Sequence, residues 1–161
     1  MPTVDENETR LVVRRVLEAP ASEVYSAWTD PAFLKRWSWG SPHETLSLEQ
    51  DCRVGGVWRQ EIRNKETGER WSFDGVYREL VPGRKLVHTF HWRSDRGVED
   101  GPSLVSIEFV GRGPKTEVII THTELDPATR KGTEDGWENV LTSVERCLSQ
   151  PVESSRAPTH L

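Results

Sequence analysis

The groups in this chain that could move protons, attack a substrate or bind a metal are 5 His, 2 Cys and a scatter of carboxylates, and their spacing removes most of that chemistry. His88 and His91 lie three apart in a stretch that reads as a strand, so they face opposite sides and cannot jointly hold a metal. Cys52 and Cys147 are too distant for a CxxC pair, no carboxylate spacing completes a zinc site, and no metal ligand is expected. Gly55-Gly56 is followed by neither Lys-Ser/Thr nor a helix start, which makes it a turn or bulge and not a phosphate loop. There is no Gly-x-Ser-x-Gly elbow and no local Cys–His pairing, so no catalytic residue and no cofactor are expected. Glu61 and Glu79 could serve as acid or base only if buried beside a neutral ligand, and strand carboxylates are far more often at the surface. His122 shares the apolar parity of Val118 and Ile120, which suits either a general base or ligand donor, or a satisfied core histidine.

The aromatic residues point elsewhere. Seven Trp in 161 residues need a shared explanation, because each brings a large apolar surface with a single N–H. Strand alternation puts Trp58, Gln60 and Ile62 on one face, then Phe73, Gly75 and Tyr77, then His88, Phe90 and Trp92. Val105, Ile107 and Phe109, followed by Val118, Ile120 and His122, continue that face, and Trp37, Trp39 and Trp137 reach it from helical segments. More rings converge there than a two-layer core needs, and bulky rings leave irregular gaps with flat apolar walls. The plain alternative is that they only fill space. The candidate ligand-binding set is therefore Trp37, Trp39, Trp58, Gln60, Phe73, Tyr77, His88, Phe90, Trp92, His122 and Trp137, in which Gln60 and Tyr77 are neutral groups able to orient a small apolar molecule.

These residues need a scaffold, and the pattern supplies one. Thr9 to Leu17 is rich in β-branched residues and reads as a strand. Ser22 is expected to N-cap a short helix with Val24, Ala27 and Trp28 on one face, and Asp30-Pro31 to open a second, directing Phe33, Leu34 and Trp37 inward. From Thr45 the period changes to alternation, with Leu46 and Leu48 on one side, and turn signals at 51–56, 64–69, 81–84 and 112–115 separate further strands. Ser94 to Pro102 reads as a polar loop. Thr133 to Gln150 is the longest helix, with Trp137, Leu141, Val144 and Leu148 in one stripe. About seven strands in hairpin succession, two short helices after the first and one long helix at the end predict an α+β layer in which a curved antiparallel sheet wraps the C-terminal helix. Residues 9–150 form one domain in this reading, between a disordered N-terminus, 1–8, and a disordered tail, 151–161.

Charge and composition narrow the partners. The net charge is −5, with Lys and Arg scattered in ones and twos, which argues against a nucleic-acid backbone footprint. The N-terminal residues are acidic and polar and no apolar run is long enough to span a bilayer, so a cytoplasmic protein with no membrane insertion and with reduced thiols is expected. Exposed edge strands would permit a homodimer.

Taken together, LVVRRVLEAPASEVYSAWTDPAFLKRWSWG, DCRVGGVWR, FDGVYRELVPGRKLVHTFHW, TEVIITHTEL and GWENVLTSVERCL resemble the START-like (SRPBCC) superfamily. Within it they are most similar to the branch of the C-terminal domain of the activator of Hsp90 ATPase, over roughly residues 9–150. The resemblance implies the helix-grip fold and a family range from lipid, sterol, hormone or polyketide binding to occasional cyclases and hydrolases. It also implies that chaperone stimulation depends largely on an additional N-terminal domain. Because this chain begins directly at the first strand, an Hsp90 interaction is not expected. The leading expectation is a noncatalytic module that binds a small apolar molecule. A cyclase- or dehydratase-like enzyme, or a protein-interaction module acting through the outer sheet face, are the alternatives.

Overall fold

A computed structural model of the chain describes residues 9–37 and 42–149. The expectations for 1–8, Trp39 and the tail after Ser149 lie outside them. Strand β1 (Leu11–Leu17) leads into helices α1 (Ala21–Thr29) and α2 (Pro31–Trp37). Six strands follow: β2 (His43–Gln50), β3 (Val57–Asn64), β4 (Arg70–Val81), β5 (Lys85–Ser94), β6 (Glu99–Arg112) and β7 (Lys115–Thr123). A 3₁₀ turn (Pro127–Thr129) then opens helix α3 (Arg130–Ser149). The strands form one antiparallel sheet in the order β1-β7-β6-β5-β4-β3-β2, so β1 and β2 are its edges and α1 and α2 carry the chain from one edge to the other. This is the expected α+β helix-grip architecture, with α3 held against the concave face.

Alternation decides which side chains that face carries. Trp58, Gln60, Ile62, Phe73, Tyr77, His88 and Phe90 are all buried, as are Val105, Ile107, Phe109, Val118, Ile120 and His122. Curvature comes from interruptions of the ladder at Thr45/Ser47, Tyr77/Glu79 and Phe90/Trp92, where an extra residue bends the strand. Helix α3 buries Trp137, Val140, Leu141, Val144 and Cys147, while Leu148 is only partly covered. Two ties lock the helices: Ser143 Oγ donates to the Trp37 carbonyl at 2.8 Å, and Thr129 Oγ1 donates to Asp100 at 2.6 Å.

The structure departs from the sequence reading in several places. Helix α1 starts one residue before Ser22, because the Pro20 carbonyl accepts from the N–H groups of Glu23 and Val24, and no side chain caps it. Asp30 does open α2, its carboxylate accepting from the Ala32 N–H at 3.0 Å. The loop expected over Ser94–Pro102 shrinks to four residues, since Glu99 and Asp100 already pair with Arg93 and Trp92. Leu46 stays exposed because the β2 bulge falls on it, leaving Leu48 to face inward alone.

Candidate functional site

Where the β3–β5 half of the sheet meets the first turns of α3, the layers stay apart and leave a pocket of about 340 Å³ that opens at the surface. Ile62, Trp71, Phe73, Phe90 and Trp92 form its sheet wall, and Gly132, Thr133, Gly136 and Trp137 its helix wall. His43, Ala128 and Thr129 complete the rim. The walls are ring against ring: Phe73 stacks on Phe90 at 5.7 Å between centroids, and Trp71 tilts against Trp92 at 5.2 Å. Gly132 and Gly136 sit four apart in the helix, so both glycines look onto the same space. A Cβ built on either meets nothing within 4 Å, which means the missing side chains are part of the opening.

Deeper in, a second hollow of about 30 Å³ lies between α1, α2 and the middle of β3–β5. Trp28, Leu34, Trp37, Trp58, Gln60, Tyr77, Leu86 and His88 line it, and Phe90 and Trp137 border both spaces. Several polar groups here are used by the fold. Trp37 Nε1 donates to the Ala27 carbonyl at 2.9 Å, Gln60 Nε2 donates to Thr45 at 3.2 Å, and the Tyr77 hydroxyl accepts from Gln50 at 2.8 Å. His88 Nδ1 sits 2.7 Å from the Thr89 carbonyl, so Nδ1 carries the proton. Burial pushes the His88 pKa down to about 4 and that of the Tyr77 hydroxyl upward, so both groups are neutral at physiological pH. Gly75 is what lets Trp58 in: a Cβ there would come within 1.9 Å of the Thr89 oxygen and 2.7 Å of Trp58 Nε1.

His122 touches neither space. Trp137 Nε1 can only donate, and does so to His122 Nδ1 at 3.0 Å, which puts the ring proton on Nε2. Nε2 lies 2.7 Å from Ser103 Oγ, which in turn donates to the Phe90 carbonyl at 3.1 Å. Burial first, and the nearby His88 second, hold this imidazole neutral with a pKa near 3. Of the two readings open in the sequence, the geometry is that of a satisfied core histidine whose task is to fix the Trp137 ring that walls the pocket.

The predicted set thus divides. Phe73, Phe90, Trp92 and Trp137 line the outer pocket; Trp37, Trp58, Gln60, Tyr77 and His88 line the inner hollow with Phe90 and Trp137. Two contributors were within reach of the sequence but not singled out. Trp71 shares the parity of Phe73, two residues earlier along β4, and Gly136 within the expected helix carries a propensity cost that asks for a reason; Gly132 joins it because the helix starts at Arg130, three residues before the expected Thr133. Among the described residues no group of His, Cys, Asp or Glu could hold a metal ion. Glu61 and Glu79 are on the surface, facing Arg70 at 3.7 Å and Lys85 at 3.5 Å. His91 lies on the outer face between Asp74 and Glu99, whose hydrogen bonds raise its pKa. Cys52 is exposed and Cys147 buried, and neither forms a disulfide.

Comparison with known proteins agrees with this fold. Residues 18–149 match the family described as Activator of Hsp90 ATPase homolog 1-like protein. A crystal structure of a Chromobacterium violaceum protein is 26% identical, with a TM-score of 0.76 over 89% of this chain and 99% of its own. A Rhizobium leguminosarum protein is similar in fold at 24% identity, with a TM-score of 0.77 over 88% of this chain and 95% of its own. The solution structure of an activator-like protein from Aeromonas hydrophila, 22% identical, shares the fold with a TM-score of 0.68 over 94% of this chain and 97% of its own. No curated protein sequence matches the chain. Among the described residues no helix is long and apolar enough to cross a membrane.

Proposed function

The chain belongs to the Activator of Hsp90 ATPase homolog 1-like protein family, and on that premise we propose that it is a binding module for a small, uncharged, largely apolar molecule. One observation carries this reading: the open pocket of about 340 Å³ has aromatic walls and, among the described residues, no Asp, Glu, Lys or Arg lining it. A ligand there gains from apolar burial at roughly 25 cal/mol per Å² and meets no charge it must neutralise. The glycines of α3 support the same reading, because nothing in the packing of the helix needs them. The enzyme alternative calls for a buried acid–base pair. The titratable groups lining the two spaces are His43, Tyr77 and His88, and burial holds the last two neutral.

The test is native mass spectrometry of freshly purified protein together with a tryptophan-fluorescence titration against fatty acids, sterols and aromatic polyketide-like compounds. A copurified mass or a saturable quench is expected in the wild type, and its loss is expected in Gly136→Leu, whose Cβ starts in open space and whose side chain grows into the pocket. An empty spectrum and a flat titration across the panel would overturn the proposal and make the rings ordinary core.

A further inference from the structure

Phe90 and Trp137 border both the outer pocket and the inner hollow, so their rings, 6.0 Å apart between centroids, stand between the two spaces. A single run of hydrogen bonds begins on one of these residues and ends on the other. Trp137 Nε1–H donates to His122 Nδ1 at 3.0 Å, His122 Nε2–H donates to Ser103 Oγ at 2.7 Å, and Ser103 Oγ–H donates to the Phe90 carbonyl at 3.1 Å. An indole can only donate and a carbonyl can only accept, so the two ends fix the imidazole tautomer and the hydroxyl between them. The run crosses from α3 through β7 and β6 to β5, and none of its four residues is more than 4% exposed. It reaches β5 where the ladder to β6 is interrupted, between Phe90 and Trp92.

Packing alone does not call for these polar groups. Val118 and Ile120 precede His122 in the same row of β7 and are fully buried aliphatics. A branched aliphatic at 122 would fill similar space, and a buried hydrogen bond contributes little net stability over apolar groups of the same shape. What His122 adds is direction. With Nδ1 as its acceptor the Trp137 indole has one orientation, and with Nε2 tied to Ser103 the imidazole keeps Nδ1 free of a proton. The His122 ring also meets the Phe90 ring edge to face at 5.3 Å between centroids, so both rings of the divide rest on it.

We propose that His122 and Ser103 are positioning residues that hold Phe90 and Trp137 as a partition, and that this partition limits the length of ligand the outer pocket accepts. The inference rests on the binding function proposed above. A ligand fills the outer pocket and stops at the two rings; with the rings released, its end passes into the space lined by Trp28 and Trp58. Calorimetric titration with straight-chain primary alcohols of increasing length tests it. In the wild type, affinity should rise about fourfold per methylene while the chain is being buried and then level at a fixed length. Ring resonances of Trp71 and Trp92 should shift across the series, and those of Trp28 and Trp58 should stay unmoved. In Ser103→Ala and His122→Leu the levelling point should move out by about one or two methylenes, as a hollow of about 30 Å³ allows, with Trp28 and Trp58 now responding. His122→Asn, whose amide oxygen can replace Nδ1 as acceptor, should restore the wild-type limit. An unchanged limit in the folded variants, or Trp28 and Trp58 shifting in the wild type, would overturn the partition and leave the binding module standing. If neither variant folds, the wild-type resonances decide. No binding at any length, with a flat ligand panel, would overturn both.

Discussion

Under β1, β6 and β7 the concave face is filled mainly by branched aliphatic side chains, Leu11, Val13, Val105, Ile107, Val118 and Ile120, none more than 3% exposed, with Phe109 and His122 as the two rings among them. Under β3, β4 and β5 the same face carries Trp58, Phe73, Tyr77, His88 and Phe90, and both hollows lie there. The two halves share one sheet and one covering helix, so the difference comes from side-chain shape. The aliphatic branches share one buried cluster with Val140, Leu141 and Val144 of α3, each 0% exposed, whereas planar rings can stack on one another and still leave gaps at their edges. Close packing and open space thereby fall to different halves of one core.

The sharpest way to break this comparison is to cut a side chain from each half. Leu141→Ala in the closed half should cost about 3 kcal/mol, within the usual range for a fully buried leucine, while Trp92→Ala at the pocket rim should cost clearly less and instead weaken ligand binding. Denaturant melts of the two variants compare the costs, and equal losses would remove the distinction. Acid probes the aromatic half next. His88 and His122 titrate near 4 and 3 in the fold against about 6.5 when unfolded, so the unfolded state binds more protons between those limits. Stability present above pH 6.5 should therefore fall as pH drops toward 4, by up to about 1.4 kcal/mol per pH unit for each histidine. The raised pKa of His91 acts with the opposite sign, but that ring is on the outer face and solvent weakens its effect. A flat melting temperature from pH 7 to 4.5 would mean the two rings are not held neutral. The smallest expected effect is Gly136→Ala, which should stabilise the chain by about 0.5–1 kcal/mol, since it removes the glycine penalty in a helix and meets open space. A destabilised Gly136→Ala would show that the space beside this glycine is not open.

Much of this division is legible along the chain. Alternation in 58–62, 73–77 and 88–92 placed the rings on one face, because side chains of a strand point alternately and one buried face tolerates no slip in register. The same rule put Val105, Ile107, Val118 and Ile120 in the closed half. Less legible were the features that depend on two distant segments meeting. Leu46 is thrown outward by a bulge that exists only in the pairing of β2 with β3, and the Glu99–Asp100 extension of β6 exists only against β5. His122 has two readings in the sequence because its partners, Ser103 and Trp137, are 19 and 15 residues away and converge only in the fold.

What the sequence determined by itself is therefore the architecture and the inventory of the inner face: strand period, turn residues and the stripe of the last helix are local properties that specify one arrangement of layers. What the tertiary structure decided is where that inventory leaves room. The two hollows and the two helix glycines facing open space are properties of gaps between elements, and a gap is set by how far apart rigid rings and backbones hold each other, which no single segment of chain encodes.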